Sequence, residues 1–587
     1  MISIALGIDL GTTYTVASVL EEGRPRVIPN LEGQRLTPSV VALGEDGRLL
    51  VGQLAKDRAS VSPGDAVFSI KRRMGSDYRA RLGERDFTPE QVSSLILGKV
   101  KADAEAFLGC GVESAVVTVP AYFSDRQRQA TKEAALLAGL EVTRIINEPT
   151  AAALAYGLDR ENVHTILVWD LGGGTFDVSI LELGNGIFEV RAVSGDTWLG
   201  GDDYDRRMMS CLALEYWATH GVEIPAQDKL AWQELKETTE KAKIELSTSP
   251  VARVRLEFKH SGGNALRPFE THVTRDSFQG LTADLVERMV SPTRQALADA
   301  GLEASDIDRV ILVGGSSRMP AVRQKARELL GKEPYRLIDP DEVVAMGAAI
   351  QAGILAGQCK KVVLLDVIPL SLGVETMGGL FARIINRNTP LPASESQVFT
   401  TAVDDQTSVD VHVLQGEREM AVDNISLGEF HLTGIPALPR GVPKIEVTFD
   451  VDVDGIVHVC AQDLFGGGEE SIKVVSSKDL YPEEMSSIVE EAARHADADG
   501  RSRERAEAGI ILSTLVEMAE RPRRKGVDPE LTGSQEEIEE LVARAKRVKF
   551  SGDTAEMREI SKELWELLRT VGGGQRSDLL AFPARRP

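Results

Sequence analysis

Two short segments constrain this 587-residue chain more than any others. Asp9-Leu10-Gly11-Thr12-Thr13 and Asp170-Leu171-Gly172-Gly173-Gly174-Thr175 each follow a β-branched run, and they lie about 160 residues apart. In both, a carboxylate at a strand end precedes glycines that let the backbone close on an anion, and threonines whose hydroxyls can donate to phosphate oxygens. A single loop of this kind is usually just a tight turn. Two of them imply a duplicated domain whose halves face each other across one nucleotide. A third strand-then-glycine segment, Leu312-Val313-Gly314-Gly315-Ser316-Ser317-Arg318, is suited to lie against a base or ribose. No GxxxxGK[ST] occurs, and Asp9-x-Gly11 does not open a GxGxxG, so both P-loop and dinucleotide-fold readings fail.

Two facing carboxylates suit a hydrated Mg²⁺ that bridges β- and γ-phosphate. Transfer to water also needs a cation near the γ-phosphate and a group that places the water. Lys71 and Glu148 are candidates, but lysines and glutamates are too common for residue logic alone to select them.

Composition narrows the field. With 67 basic and 90 acidic residues the net charge is −23, which repels nucleic acid and anionic lipid. The four cysteines, Cys110, Cys211, Cys359 and Cys460, show no metal-ligand spacing, which fits a reduced, cytoplasmic chain. The start, Ile2-Ser3-Ile4-Ala5-Leu6, reads as a buried strand and not as a signal peptide, and no apolar run is long enough to span a membrane.

The chain changes character twice. Up to about Gly357 short β-branched runs (Ile4–Asp9, Ser114–Val119, Thr165–Asp170, Val310–Val313) alternate with helical stretches (Pro89–Leu108, Asp125–Ala138, Trp232–Leu246), the pattern of an α/β domain. From Asp366 to Val475 strands dominate: Ile445 to Val453 alternates, Asp454-Gly455 makes a hairpin turn, and Ile456 to Ala461 returns. From Tyr481 to Val571 the chain is charged and helical, and it ends in glycines and a basic tail. The expected boundaries are 1–357, a linker at 358–368, an all-β domain at 369–476, a helical domain at 477–571 and a short flexible tail at 572–587. The linker's Val362-Val363-Leu364-Leu365-Asp366 reads either as an edge strand of the following domain or as a segment that docks when one domain changes state.

Gly7-Ile8-Asp9-Leu10-Gly11-Thr12-Thr13, Val119-Pro120-Ala121-Tyr122-Phe123, Ile146-Asn147-Glu148-Pro149-Thr150-Ala151-Ala152-Ala153, Asp170–Asp177, Val313-Gly314-Gly315-Ser316 and Leu370–Gly379 together resemble the seventy-kilodalton heat-shock chaperone family, of the bacterial DnaK type. The resemblance runs in family order from residue 7 to about 475, and the helical end matches only in character. It implies a multidomain protein: an actin-like α/β ATPase with duplicated ribonuclease-H-like halves, a hydrophobic linker, an all-β sandwich that binds peptide, and an α-helical lid.

What the resemblance implies for single residues can be stated by position. Asp9, Glu148 and Asp170 surround a hydrated Mg²⁺. Gly11, Thr12, Thr13, Tyr14, Gly172, Gly173, Gly174 and Thr175 meet the phosphates of ATP or ADP. Lys71 stabilises developing charge and orients the water, and Asp177 helps hold that water or a K⁺ ion. Gly201, Glu240, Lys243, Ser247, Gly314, Gly315, Ser316, Arg318 and Asp341 frame the adenosine; taken alone, Glu240 and Lys243 read as a solvated ion pair on a helix face. Val374, Thr376, Met377, Phe399, Ala402, Val409 and Val411 surround an extended client peptide, with Met377 and Ala402 arching over it. Alternating apolar residues of this kind are otherwise sandwich core. Pro120, Arg128, Arg144 and Asp366 match the relay and co-chaperone positions, and Asp404 and Arg440 match the lid latch. ATP draws the linker onto the ATPase domain and opens the lid; hydrolysis reverses both.

The implied partners are unfolded client polypeptides, a J-domain co-chaperone and a nucleotide-exchange factor, with the protein a monomer. Between Lys71 and Val119 the chain is roughly two dozen residues shorter than bacterial relatives, which bears on the contacts of a GrpE-type exchange factor. Tyr14 replaces a common Asn, and the end Ala584-Arg585-Arg586-Pro587 lacks an EEVD, so partners that read EEVD are not expected. Ile368-Pro369-Leu370 and Gly434-Ile435-Pro436-Ala437-Leu438-Pro439 are similar to the branch that serves iron–sulfur cluster assembly, an alternative to the generalist chaperone. An actin-like metabolic kinase and a non-hydrolysing exchange factor are the readings from other classes; the β domain counts against the first, and Asp9, Lys71, Glu148, Asp170 and Thr175 against the second.

Overall fold

The computed structural model describes residues 4–157, 163–184, 186–258, 266–335, 338–359, 362–465, 469–473, 482–520, 532–551 and 553–571. The expected tail at 572–587 lies outside them, as do Lys360 and Lys361.

The duplication is visible in the strand order. In the first lobe, Ala5–Leu10, Tyr14–Glu21 and Arg24–Ile28 form an antiparallel meander, and Ser114–Val119 and then Glu141–Asn147 add in parallel beside Ala5–Leu10. In the second, His164–Leu171, Phe176–Gly184 and Ile187–Asp196 form the same meander, with Arg309–Val313 parallel to His164–Leu171. Asp9 and Asp170 hold equivalent places near the end of each first strand, where the chain turns back.

The sheets are joined by two helices, Glu148–Tyr156 and Val343–Leu355, which pack on each other. Their sequences explain the close crossing. Ala151, Ala152 and Ala153 face a run of small residues on the second helix, and a Cβ on Gly347 would overlap the Ala151 carbonyl. Gly7 is bare for the same reason, since a Cβ there would overlap the backbone of Ala348 and Ala349. Close crossing brings the two lobes together along one line and leaves the cleft above it.

The described residues between Leu372 and Lys473 are almost wholly β-structure. Two four-stranded antiparallel sheets pack face to face: one from Leu372–Thr376, Leu380–Ile385, Ser408–Gln415 and Ile425–Thr433, the other from Ala393–Phe399, Ile445–Val451, Val457–Asp463 and Glu469–Lys473. Val413, Leu432, Val447, Phe449 and Val459 fill the space between. The hairpin at Asp454-Gly455 is wider than its sequence implied: the ladder stops at Val451 and resumes at Val457. Asp452 is the reason, because its Oδ1 accepts the N–H groups of both Asp454 and Ile456 and draws the loop into a local turn.

The helices Pro482–Glu520, Thr532–Ser551 and Thr554–Val571 form a bundle around Leu512, Leu515, Ile538, Leu541, Met557, Ile560 and Leu564. No described helix is long and apolar enough to cross a membrane. The linker forms a strand, but not in the following domain. Val363–Leu365 pairs in parallel with Ile187–Glu189, so it extends the sheet of the second lobe by one edge strand. The reading of this segment as an edge strand of the following domain is thereby corrected.

Candidate functional site

A cavity of about 600 Å³ separates the two lobes, a size that suits a nucleotide. Asp9, Gly11, Thr12, Thr13, Tyr14, Lys71, Glu148, Asp170, Gly172, Gly173, Thr175, Gly201, Glu240, Lys243, Ser247, Gly314, Gly315, Ser316, Arg318 and Asp341 all line it. Gly174 and Asp177 do not; they stand behind the wall.

The loops hold one another. The Gly172 N–H donates to the Thr175 carbonyl at 3.1 Å, which closes the second loop. The Gly172 carbonyl accepts from the Gly201 N–H at 3.0 Å and from Ser316 Oγ at 2.8 Å, so the second and third glycine segments and the helix start at Gly201 meet at one residue. Gly314 sits at φ 78°, where a side chain would strain the backbone and collide with Leu171. In the first loop, Ser39 Oγ donates to the Gly11 carbonyl at 2.8 Å.

Three buried carboxylates, Glu148, Asp170 and Asp177, and the half-buried Asp9 surround a single ammonium, that of Lys71, which pairs with Glu148. Burial, and then repulsion from Glu148, pushes Asp9 and Asp177 up to about 7, and the same causes push Asp170 well above the usual carboxylate range. Thr118 Oγ1 donates to Asp9 at 3.1 Å. Both carboxylate oxygens of Asp177 are buried without a hydrogen bond of ordinary geometry. With four carboxyl groups and one ammonium, the cluster favours either bound protons or an added cation. Among the described residues no three acidic, histidine or cysteine groups are arranged to ligate one metal ion directly. A divalent ion that keeps its water shell fits such a set.

On the adenosine side, Glu240 and Lys243 are not paired with each other, which corrects the helix-face reading. Lys243 Nζ contacts Asp205 at 2.7 Å and the Gly201 carbonyl at 3.2 Å, and Glu240 reaches Lys56 of the first lobe at 3.4 Å. Arg318 is held by Asp341 at 2.7 Å and by Asp339. Lys56, Arg72, Asp203 and Asp205 escaped the sequence reading because no local motif marks them; only the fold brings them to the cleft.

The client residues fare differently. Val374 and Val411 are each 4 % exposed and belong to the sandwich core, with Phe399 and Val409 packed against it. Thr376 is half-buried and its hydroxyl donates to the Leu380 carbonyl at 3.2 Å. Met377, 52 % exposed, and Ala402 stand at the ends of their loops in solvent. Core packing thus accounts for part of the set and leaves the two arch residues outside it. Asp404 Oδ1 accepts the Arg440 N–H at 2.9 Å, which places the two latch residues side by side.

The coupling residues converge on one hairpin turn. Asp454 accepts the Ile145 N–H at 3.0 Å and pairs with Lys132 at 2.5 Å, and Arg144 lies 3.5 Å away. Arg128 is buried: it donates to the Asp454 carbonyl at 3.3 Å, to Asn147 at 2.8 Å and to the carbonyls of Ala121 and Phe123. Pro120, also buried, opens that segment, and its carbonyl caps the turn to Phe123. Asp125 accepts the Val457 N–H at 2.8 Å. Asp366 is buried in the linker near Thr150, its carboxyl pushed up by burial against the opposing pull of Arg128. A second contact joins Asp299 to Arg387 at 2.6 Å and to Asn388 at 3.2 Å. Asp454, Asp125, Asp299 and Arg387 were not foreseen. The long lid helix is seated on the sandwich at the same time: Arg418 pairs with Asp499, Arg503 with Glu419, and Gly378 faces Ile510.

A family model described as Hsp70 protein matches residues 5–81 and 78–575.

Proposed function

The chain belongs to the Hsp70 family, and from that premise we propose that it runs an ATP-driven cycle of client binding and release in which the cleft between the lobes is the engine and the docked linker is the transmission. Members of the family are ATP-dependent chaperones; they bind ATP or ADP with Mg²⁺ and work with J-domain and exchange-factor co-chaperones. The observation that carries the proposal is the convergence of twenty foreseen residues on one cavity.

In this reading Lys71 supplies the positive charge nearest the γ-phosphate and, with Glu148, holds the attacking water in line. Thr12, Thr13 and Thr175 donate to phosphate oxygens, and the bare glycines let the backbone approach. Asp9, Glu148 and Asp170 would hold hydrated Mg²⁺, which offsets charge on the β- and γ-phosphates. The unpartnered oxygens of Asp177 favour a water or a K⁺ ion at that position. Lys243, Glu240, Ser247 and Arg318 frame the nucleoside.

The linker strand and the Asp454 turn give the nucleotide a mechanical outlet. A nucleotide that closes the lobes favours the docked arrangement through its differential contacts with the two states, and its hydrolysis removes that bias. Met377 and Ala402 would then meet a client segment whose main chain adds along the sandwich, with the lid and its Asp404–Arg440 latch above.

ATPase turnover with a panel of short aliphatic peptides and the recognition peptide of an iron–sulfur scaffold tests the reading. Broad stimulation is the expected result. Response to the scaffold peptide alone would move the protein to the specialist branch, and turnover indifferent to every peptide would overturn the client cycle.

A further inference from the structure

One turn of the first lobe, Ile70–Arg73, carries two buried cations, and the hydrolytic reading uses only Lys71. Arg72 points into the opposite lobe. Its Nη2 donates to the Gly174 carbonyl at 2.8 Å, approaches the Gly173 carbonyl at 3.4 Å and pairs with Asp203 at 3.0 Å. Trp198 covers the guanidinium, its ring centroid 5.1 Å away. Asp203 is fixed in turn, since the same Oδ2 accepts the Gly200 N–H at 2.9 Å. Just upstream, Ser69 adopts φ 51°, a conformation rare for serine, and its hydroxyl donates to Asp202 at 2.9 Å.

These bonds all run from the turn that carries Lys71 to two loops of the second lobe, the phosphate loop at 172–175 and the helix start at 200–203. They also explain Gly174, which lies behind the cavity wall although its motif places it at the phosphates. A Cβ there would come within 2.6 Å of Arg72 Nε and 3.0 Å of Thr12 Oγ1, so the glycine makes room for the guanidinium. The planar guanidinium can bond these acceptors through Nη2 while its face lies against the Trp198 ring, a combination that the compact, strongly hydrated ammonium of a lysine reproduces poorly.

We infer that Arg72 is a positioning residue for hydrolysis: it clasps the second phosphate loop against the turn that carries Lys71, so that Lys71 is aligned only when the lobes are closed. The inference rests on the reading of the cleft as a hydrolytic ATP site. A lobe motion that separates the turn from residues 172–175 and 200–203 breaks the clasp and withdraws Lys71 in one movement.

Single-turnover hydrolysis and ATP affinity of the full chain test this. In Arg72→Ala the single-turnover rate should fall about 10- to 100-fold while the ATP Kd moves less than about threefold, the signature of a misplaced catalytic group with binding intact. Added guanidinium ion should restore part of the lost rate, and Arg72→Lys should recover little. A purely structural arginine would give neither rescue nor a split between rate and affinity. Should Arg72→Ala fold poorly, Asp203→Asn and Trp198→Phe, which weaken the anchor of the guanidinium from two sides, should each slow turnover several-fold at unchanged Kd. Wild-type rates in these variants, or rate and affinity lost in equal proportion, would overturn the inference. A wild-type chain that binds ATP but never hydrolyses it would overturn the reading of the cleft, and the inference with it.

Discussion

In the ATPase cleft the residues that matter sit on strand ends and glycine turns, and nearly every one foreseen from the sequence faces the same cavity. In the sandwich the residues expected to meet a client divide, Val374 and Val411 into the core and Met377 and Ala402 into solvent. The contrast has a physical origin. A phosphate site needs bare backbone and fixed charge, and both are expensive to place anywhere else, so glycine beside aspartate carries information. An apolar client site is made of the same residues as a core, and alternation cannot tell them apart.

The comparison breaks first, and with the largest effect, at Lys71. Removal of one preorganised charge at the reacting phosphate costs about 10²- to 10³-fold in rate, so Lys71→Ala should abolish measurable turnover while ATP binding, followed by equilibrium titration, survives. Unchanged turnover would mean that a different cation serves the γ-phosphate.

Asp454 comes next, because it joins the two regions. Asp454→Ala leaves the Ile145 N–H and the Lys132 ammonium without their acceptor in a largely buried contact, at a cost of about 2–3 kcal/mol to docking. Fluorescence transfer between dyes on the ATPase domain and on the sandwich should show the docked fraction drop. If it does not, the Asp299–Arg387 contact holds the domains together without help.

A third test uses pH. Burial, and then repulsion from Glu148, pushes Asp177 up from the ordinary 3.8 to about 7, so the folded chain binds the extra proton between those values. Its contribution to stability therefore falls as pH rises from about 4 to 7 and is level above, by at most about 1.4 kcal/mol per pH unit. Asp177→Asn removes this slope. The thermal midpoint of the variant, measured relative to wild type, should rise across that window, and a constant difference would show that Asp177 is ionised throughout.

Much of the architecture was legible because its causes are local. The helix at Pro89–Leu108 was read at its observed bounds, and the structure shows the local cause in a Thr88 cap, a proline at its start and Gly109 after its end; the strand at Ser114–Val119 carries the β-branched run Val116–Val119. The parts that were not legible depend on which surfaces meet. Nothing near Val363 says that its partner strand is Ile187–Glu189, some 175 residues earlier, and nothing around Arg72 says that its acceptors are glycine carbonyls of the other lobe. Asp452 widened the hairpin loop through side-chain bonds that periodicity does not contain.

The smallest effect is expected at Met377, and it separates the two readings of the client set most cleanly. The side chain is half in solvent and contributes little to the sandwich, so Met377→Asp should leave the thermal midpoint of the free chain almost unchanged. If the residue arches over a client, the new carboxylate must be desolvated against an apolar peptide, and peptide affinity should fall by about tenfold or more, roughly 1–2 kcal/mol. Basal turnover should be intact, since the residue is remote from the cleft lining. Val411→Asp is the counterpart: buried in the core, it should unfold the sandwich outright. A Met377→Asp chain that binds peptide as wild type does would return the whole set to the core reading and leave the client cleft to be sought on another face of the domain.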